Sequence, residues 1–188
     1  MARWLARSDL TASIPDFILL AEARINADLS LSPQQEQVTG TTSGATITPP
    51  ADYRQVESLF LTIGGLEMSL HPVSSDKSLN ASINPIPDSY WTLGNTIYIN
   101  CSTDYAYRLV YYAGVPSLAT NTTNWLIQRN PNVYLYATLL EAAPYIQDDD
   151  RINVWGSGYQ NAIAALARQD DHIRFGPSPR MRVDFNAP

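Results

Sequence analysis

Residues that could carry chemistry are few in this chain of 188 residues, and they form no known motif. The two histidines, His71 and His172, lie far apart in different kinds of segment, whereas a catalytic or metal-binding histidine normally has local partners. Cys101 is the sole cysteine, so neither an internal disulfide nor a cysteine-based zinc site can form. No nucleophile elbow, phosphate-binding loop or dinucleotide fingerprint occurs. The sequence therefore predicts no catalytic, metal or cofactor site and does not favour an enzyme.

Acidic residues offer two weaker alternatives. The run Asp148–Asp150 could hold a cation, but adjacent aspartates cannot all point at one ion, and calcium loops space their ligands alternately. The favoured interpretation is a solvated acidic corner that caps a following helix. An enzyme of unknown class would have to unite the distant acids Glu57, Glu67 and Asp104 in one pocket, which is the weakest alternative.

The composition favours assembly with other proteins over capture of nucleic acid. The formal net charge is −6 and Lys77 is the only lysine, whereas nucleic-acid binding needs clustered basic residues. Charged residues make up 16 % of the chain, against roughly 25 % in ordinary proteins. Eleven Tyr and four Trp are present, and these types are enriched at interfaces. No apolar run reaches the roughly 18 residues that a membrane helix needs, and the N-terminus lacks a signal-peptide core. We expect a protein that folds in a cytosol without a membrane partner.

Residues 13–29 predict a first α-helix. Ser13 is the expected N-cap, and Pro15 suits the first turn because its missing N–H would be unpaired there in any case. Apolar residues then recur at spacings of three and four from Phe17 to Leu29. The broad apolar face indicates that this helix packs against other helices.

A helical hairpin is predicted near the end of the chain. One apolar stripe runs from Val133 to Ala143 and a second from Ile152 to Leu166, and the second includes Trp155 and Tyr159. The acidic corner joins the two helices, which should pack as an antiparallel pair. Pro144 should kink the earlier helix or end it near Ala143.

The middle of the chain, residues 31–120, has the pattern of antiparallel β-structure. We expect about five or six strands, because β-branched and aromatic segments alternate with Gly, Pro and Asn turns. Two hairpins are predicted, one turning at Gly64-Gly65 and one at Gly94-Asn95. The last strand is expected at Tyr105–Tyr112.

The final stretch, residues 172–188, has no periodicity and cannot form a core element alone. It carries three arginines and one aspartate, so it is basic while the rest of the chain is acidic. The fold class is therefore α+β: a helical bundle with an inserted antiparallel β domain and an extended C-terminal arm. The predicted division is 1–30, 31–120, 121–171 and 172–188, for the first helix, the β region, the C-terminal helices and the arm.

Several segments resemble the tailed-phage head–tail adaptor (connector) proteins, which form the ring below the portal in short-tailed phages. The resemblance covers most of the chain in the expected order. It is carried by SIPDFI at 13–18, LAEARIN at 20–26, PADY at 50–53, LVYYAG at 109–114, NWL at 124–126, PNVYLYATLLEAAPYI at 131–146 and the corner at 148–151.

The resemblance implies a structural virion protein at the head–tail interface, made in the cytoplasm of the bacterial host. It implies a ring of twelve copies that docks on the portal and extends the DNA channel, where it lies close to the genomic DNA without specific binding. The ring also gives tail or nozzle proteins an attachment platform. The arm is expected to bind the portal through Arg174, Phe175, Arg180, Met181, Arg182, Val183 and Phe185. Subunit contacts or the channel wall are expected at Asp148, Asp149, Asp150, Arg151, Trp155 and Tyr159.

A binding module is the alternative from another class. The β-rich middle with its scattered Trp and Tyr could recognise a carbohydrate or a peptide on a phage or bacterial surface assembly. Exposed coplanar aromatic rings in a groove would favour that interpretation, whereas aromatic rings buried at subunit contacts would favour the ring.

Overall fold

The computed structural model describes residues 9–74, 86–146 and 151–176. Within them the chain is α+β and divides into two compact units. The helical unit combines the residues up to Pro33 with those from Val115 onwards, and the β unit is Gln34–Gly114. The β unit is thus an insertion between the first helix and the later ones.

The helical unit contains four α-helices in its described part. They are α1 (Ile14–Asp28), α2 (Trp125–Arg129), α3 (Pro131–Ile146) and α4 (Ile152–Phe175). The long helix α3 packs against both α1 and α4. Its buried residues include Val133 and Ala137 on one side and Leu139 and Ala142 on the opposite side, all fully shielded from solvent. Burial on two sides is why this helix can form the centre of the unit.

The first helix confirms the prediction for residues 13–29 to within one residue at each end. Ser13 precedes it as expected, but its side chain makes no capping hydrogen bond. The reason is local: Thr11–Ser13 already forms a 3-10 turn, so Ser13 has helical rather than extended backbone angles.

The later helices differ from expectation in three ways. The short helix α2 was not predicted, and α3 continues through Pro144 to Ile146 instead of ending near Ala143. Because Pro144 lies in the last turn, its missing N–H removes only one bond from the helical ladder. The last helix, α4, continues past Asp171 to Phe175, so the first residues of the predicted arm are helical. The acidic corner that should join α3 to α4 lies outside the described residues.

The β unit contains two four-stranded sheets, with eight strands among its described residues against the five or six predicted. Sheet one has the order β1-β8-β3-β4 and sheet two has the order β2-β7-β6-β5. The strands are β1 (Gln35–Thr41), β2 (Thr46–Ile47), β3 (Tyr53–Ile63), β4 (Leu66–Ser69), β5 (His71–Pro72), β6 (Ser89–Leu93), β7 (Thr96–Ile99) and β8 (Ala106–Ala113).

Strand pairing confirms both predicted hairpins. Strand β3 pairs with β4 across Gly64-Gly65, and both glycines have the positive φ angles that such a tight turn requires. Strand β6 pairs with β7 across Gly94-Asn95. The pairing is antiparallel except between β5 and β6, where His71 and Pro72 run parallel to their partners. The prediction of an entirely antiparallel region is therefore wrong at this one pair.

Apolar side chains from both sheets share one core. Leu59, Leu61 and Leu109 from sheet one and Ile97 and Ile47 from sheet two are almost completely buried in it. The first and last strands of the unit, β1 and β8, are neighbours in register from Gln35–Tyr112 to Thr41–Ala106. The chain therefore enters and leaves the β unit at adjacent positions.

Candidate functional site: the exposed faces of the helical unit

Two of the residues predicted to form the portal-binding arm lie in the last turn of α4. Phe175 is 73 % exposed, and Ile173 beside it is 66 % exposed. Arg174 lies between them, and the helix ends where Gly176 takes a positive φ angle. The other predicted arm residues, Arg180, Met181, Arg182, Val183 and Phe185, lie outside the described residues.

Of the residues predicted at subunit contacts, the structure describes Arg151, Trp155 and Tyr159. Asp148, Asp149 and Asp150 lie outside the described residues, and Arg151 is the exposed residue that precedes α4. Its guanidinium lies 5.3 Å from the centre of the Trp155 ring, a cation–π distance. Trp155 itself is only 3 % exposed and packs against Phe17 and Leu139 in a small core.

Tyr159 is also a core residue. It is 1 % exposed, and its hydroxyl donates a 2.8 Å hydrogen bond to Oδ2 of Asp28 on α1. Burial raises the pKa of Tyr159, and the acceptor Asp28 adds to this effect. Both Trp155 and Tyr159 are thus used inside the helical unit, which leaves little of either ring for a neighbouring copy. The helical spacing identified their stripe correctly but could not distinguish an internal face from an external one.

Two of the acids considered for catalysis, Glu67 and Asp104, have separate partners. Glu67 forms a two-pronged ion pair with Arg108, with distances of 2.9 and 2.5 Å. Asp104 accepts a hydrogen bond of 3.2 Å from the hydroxyl of Thr42. Among the described residues no group of His, Cys, Asp and Glu could hold a metal ion. Burial raises the pKa of the Cys101 thiol, which disfavours the reactive thiolate.

Helix α1 holds the chain where it returns from the β unit. Asn26 accepts a 2.8 Å bond from the backbone N–H of Val115, and Glu22 accepts one of 2.7 Å from that of Leu118. Further along, Asn124 caps α2 by accepting from the N–H of Ile127 and donates to the hydroxyl of Tyr134 at 2.6 Å. Glu22 and Asn124 are buried, so these bonds are shielded from water.

A second buried carboxylate holds the chain where it leaves the helical unit. Both oxygens of Asp170 on α4 lie 3.1 Å from the backbone N–H of Ser32. Asp170 is 6 % exposed. Nothing in the local sequence pattern around Asp170 indicates a partner so far away in the chain.

The outer side of α1 exposes large apolar residues, and among them Leu20 was predicted to lie on the packed face with Phe17 and Ile25. Leu19 is 60 % exposed and Leu20 is 49 % exposed, and Ala23 and Ala27 continue the stripe at helical spacing. These four residues form the α1 face. Beside it lies an apolar groove of about 280 Å³, lined by residues that include Ile14, Ile18, Leu118, Ile127 and Leu135.

The outer side of α4 is unusually poor in charge. No charged residue occurs from Ile152 to Ala167, although much of this stretch is exposed. The exposed residues on one side of the helix are Val154, Ser157, Asn161, Ala164 and Ala165, which form the α4 face. The solvent-facing side of a helix normally carries charged residues, so this face shares the lack of charge that is typical of the core of an interface.

The β unit has exposed features of its own. Leu66, Met68 and Leu93 are exposed on its hairpins, and β4 is an edge strand of sheet one. Trp91 and Tyr98 stack with ring centres 5.6 Å apart and planes inclined by 10°. Both rings are half-buried, and each covers one side of the other.

Exposed apolar and uncharged faces on a well-packed scaffold are the features of a protein that works by contacting other proteins. The particular family is shown by comparison: the chain matches the family described as SU10 adaptor protein over residues 1–182, and it belongs to that family. Membership confirms the resemblance to phage head–tail adaptors, which are a structural family, and it implies a virion component. None of the curated proteins compared with the chain matches it. No helix in the described residues is long and apolar enough to cross a membrane.

Proposed function

We propose that this protein is a head–tail adaptor whose copies form a ring, docked on the portal and continuous with the DNA channel. The observation that carries the proposal is the family match over residues 1–182. The low charged fraction and the exposed faces of α1 and α4 support it, because protein interfaces are depleted in charge. A ring of twelve copies is the expected size.

The arm beyond α4 is the proposed attachment to the portal. Phe175 and Ile173 are large apolar side chains that remain exposed at the end of a helix, as anchors for a partner would. Arg180 and Arg182 further along could pair with acidic groups on the portal. The acidic body, with Asp148, Asp149 and Asp150, is proposed to line the channel and to repel DNA enough for it to slide.

The β unit is the proposed platform for tail or nozzle proteins. Its exposed hairpin tips and the free edge of β4 offer apolar side chains and backbone groups to a partner. The helical unit contains its own separate core, so tail contacts on the β unit need not disturb contacts made by the helices.

Native mass spectrometry tests the ring and its docking. The purified protein is measured alone, with its portal, and as a variant that stops after Gly176. This variant keeps every helix of the described structure, so loss of portal binding would assign the contact to residues 177–188. A stoichiometric portal complex for the full chain supports the proposal. A full-length chain that ignores the portal overturns it, and a variant that binds as well as the full chain overturns the role of residues 177–188 and leaves the contact to residues 172–176.

The channel role has its own test. Reversing the charge of Asp148, Asp149 and Asp150 together should slow DNA ejection from assembled particles, because a basic wall would hold the phosphates. Unchanged ejection would remove these residues from the channel wall.

A carbohydrate- or peptide-binding module is the second candidate, and the Trp91–Tyr98 stack favours it. Aromatic rings that are partly exposed can stack on a sugar or a peptide side chain. Changing Trp91 to Ala should then abolish glycan or peptide binding without affecting portal binding. Retained portal binding together with no measurable ligand for the natural protein would exclude this candidate.

A further inference from the structure

The α1 face and the α4 face lie on two different helices of the helical unit, and the residues of both faces are exposed. Helix α3 packs against both α1 and α4, and side chains of α1 and α4 also meet in the core, as Phe17 and Trp155 do. The side chains that do connect them, such as Tyr159 and Asp28, leave the two outer faces free of each other. Each copy therefore presents two distinct faces, and none of the described residues covers either of them.

The two faces match in shape. The α1 face carries projecting side chains, Leu19 and Leu20, beside an apolar groove. The α4 face is built mainly from small residues, with Ala164 and Ala165 exposed and Val154 the largest. Large side chains against small ones allow two helices to approach closely, as in ridge-and-groove packing.

Charges beside the two faces are also opposite in sign. Asp16 in the first turn of α1 is an exposed acid beside the α1 face, whereas Asp28 at the helix end binds Tyr159 and the neighbouring Arg24 pairs with Glu141 in the same chain. Arginines flank the α4 face, with Arg151 before it and Arg168 after it. Opposite charges at the rim of an uncharged patch favour correct encounter and fix the register of the two surfaces.

We propose that the α1 face of one copy packs against the α4 face of the next copy, and that this contact closes the ring. The proposal rests on the ring under Proposed function and names the surfaces that form it. A contact between two different faces is heterologous and generates a ring when its rotation closes. Repeated around the ring, it removes both faces from water, whereas a two-fold pairing of either face with itself would leave the other exposed.

Paired cysteines test the proposal without disturbing the core. Leu20→Cys and Ala164→Cys change exposed residues, and the natural Cys101 is buried. The double variant is assembled with the portal, oxidised, and analysed on a denaturing gel without reductant. The expected result is a ladder of covalent oligomers up to the full ring, while each single variant stays monomeric. The matched control pairs Leu20→Cys with Thr62→Cys, an exposed position on β3, and should give no ladder.

The other outcomes each overturn a different statement. Covalent pairs from the single Leu20→Cys or Ala164→Cys variant would show that a face meets itself. Absence of any ladder, when the natural protein forms a ring under the same conditions, would overturn the assignment of the faces and leave the ring intact. A natural protein that forms no ring with the portal would overturn the proposed function itself.

A charge placed in either face gives an independent measurement. Leu19→Asp and Ala165→Asp should each abolish the ring species in native mass spectrometry, with circular dichroism unchanged. Rings of normal mass from both variants would overturn the proposal.

Discussion

Adding one methyl group at Gly158 tests how tightly α4 packs against α3. A Cβ at Gly158 would lie 2.9 Å from ring atoms of Tyr136, which is closer than atoms in contact normally come. Gly156, two residues earlier in the same helix, would have no such neighbour within 4 Å among the described residues. The two glycines therefore form a matched pair that differs in packing.

The expected magnitudes follow from two opposing effects. Alanine favours a helix over glycine by about 1 kcal/mol, so Gly156→Ala should raise the free energy of unfolding by roughly that amount. Gly158→Ala gains the same amount but must displace the Tyr136 ring, and such overpacking costs about 1–3 kcal/mol. The free energies of unfolding of the two variants should differ by about 1–3 kcal/mol, because the propensity effect cancels between them.

Urea denaturation followed by circular dichroism measures this difference, and a second background isolates its cause. In a Tyr136→Leu protein the smaller side chain leaves room, so Gly158→Ala should become stabilising like Gly156→Ala. If Gly158→Ala stabilises the natural protein as much as Gly156→Ala does, the close contact between α4 and Tyr136 is not what requires glycine, and the reasoning is refuted.

Three further predictions concern the hydrogen bonds of the two units. Asn124→Ala should lower the free energy of unfolding by about 2–4 kcal/mol, because a helix cap and a buried partner of Tyr134 are both lost; the exposed Asn121→Ala is the control in urea denaturation and should change little. The pKa of Tyr134 is raised to about 12, chiefly by burial, so the unfolded chain loses this proton first and stability should fall as the pH rises from about 10 towards 12. Tyr134→Phe should reduce that loss in alkaline denaturation, and an unchanged profile would contradict it. The ion pair with Arg108 lowers the pKa of Glu67. NMR titration should therefore give Glu67 a pKa below the ordinary value in the natural protein and a pKa closer to the ordinary value in Arg108→Gln.

The elements that the sequence predicted well are those determined by local patterns. Helix α1 follows from its apolar spacing, and the hairpin at Gly64-Gly65 follows from two residues that readily adopt positive φ angles. The short parallel pair between β5 and β6 could not be predicted in this way. Two residues carry no periodicity, and their partners Ser89 and Tyr90 lie more than 15 residues further along the chain.

The functional residues were harder to predict for a different reason. Trp155 and Tyr159 have the residue types of interface anchors, but an aromatic ring on a helix can face inwards as readily as outwards. The α4 face is visible in the sequence only as an absence of charge between Ile152 and Ala167, which becomes informative once that stretch is known to be exposed. Long-range acceptors such as Asp170 have no local signal at all.

The insertion of the β unit sets an order of events during synthesis. All strands of that unit are contiguous in the chain, so both sheets can form as soon as Gly114 has left the ribosome. Helix α1 is made earlier, yet the residues that bury Phe17 and Ile25 belong to helices made last. Its apolar side therefore remains without its packing partners while more than half of the polypeptide is translated. During that period chaperones can bind it, or it can associate prematurely with other chains. The adjacent entry and exit of β1 and β8 then bring α1 back to the growing chain at the point where its partners emerge.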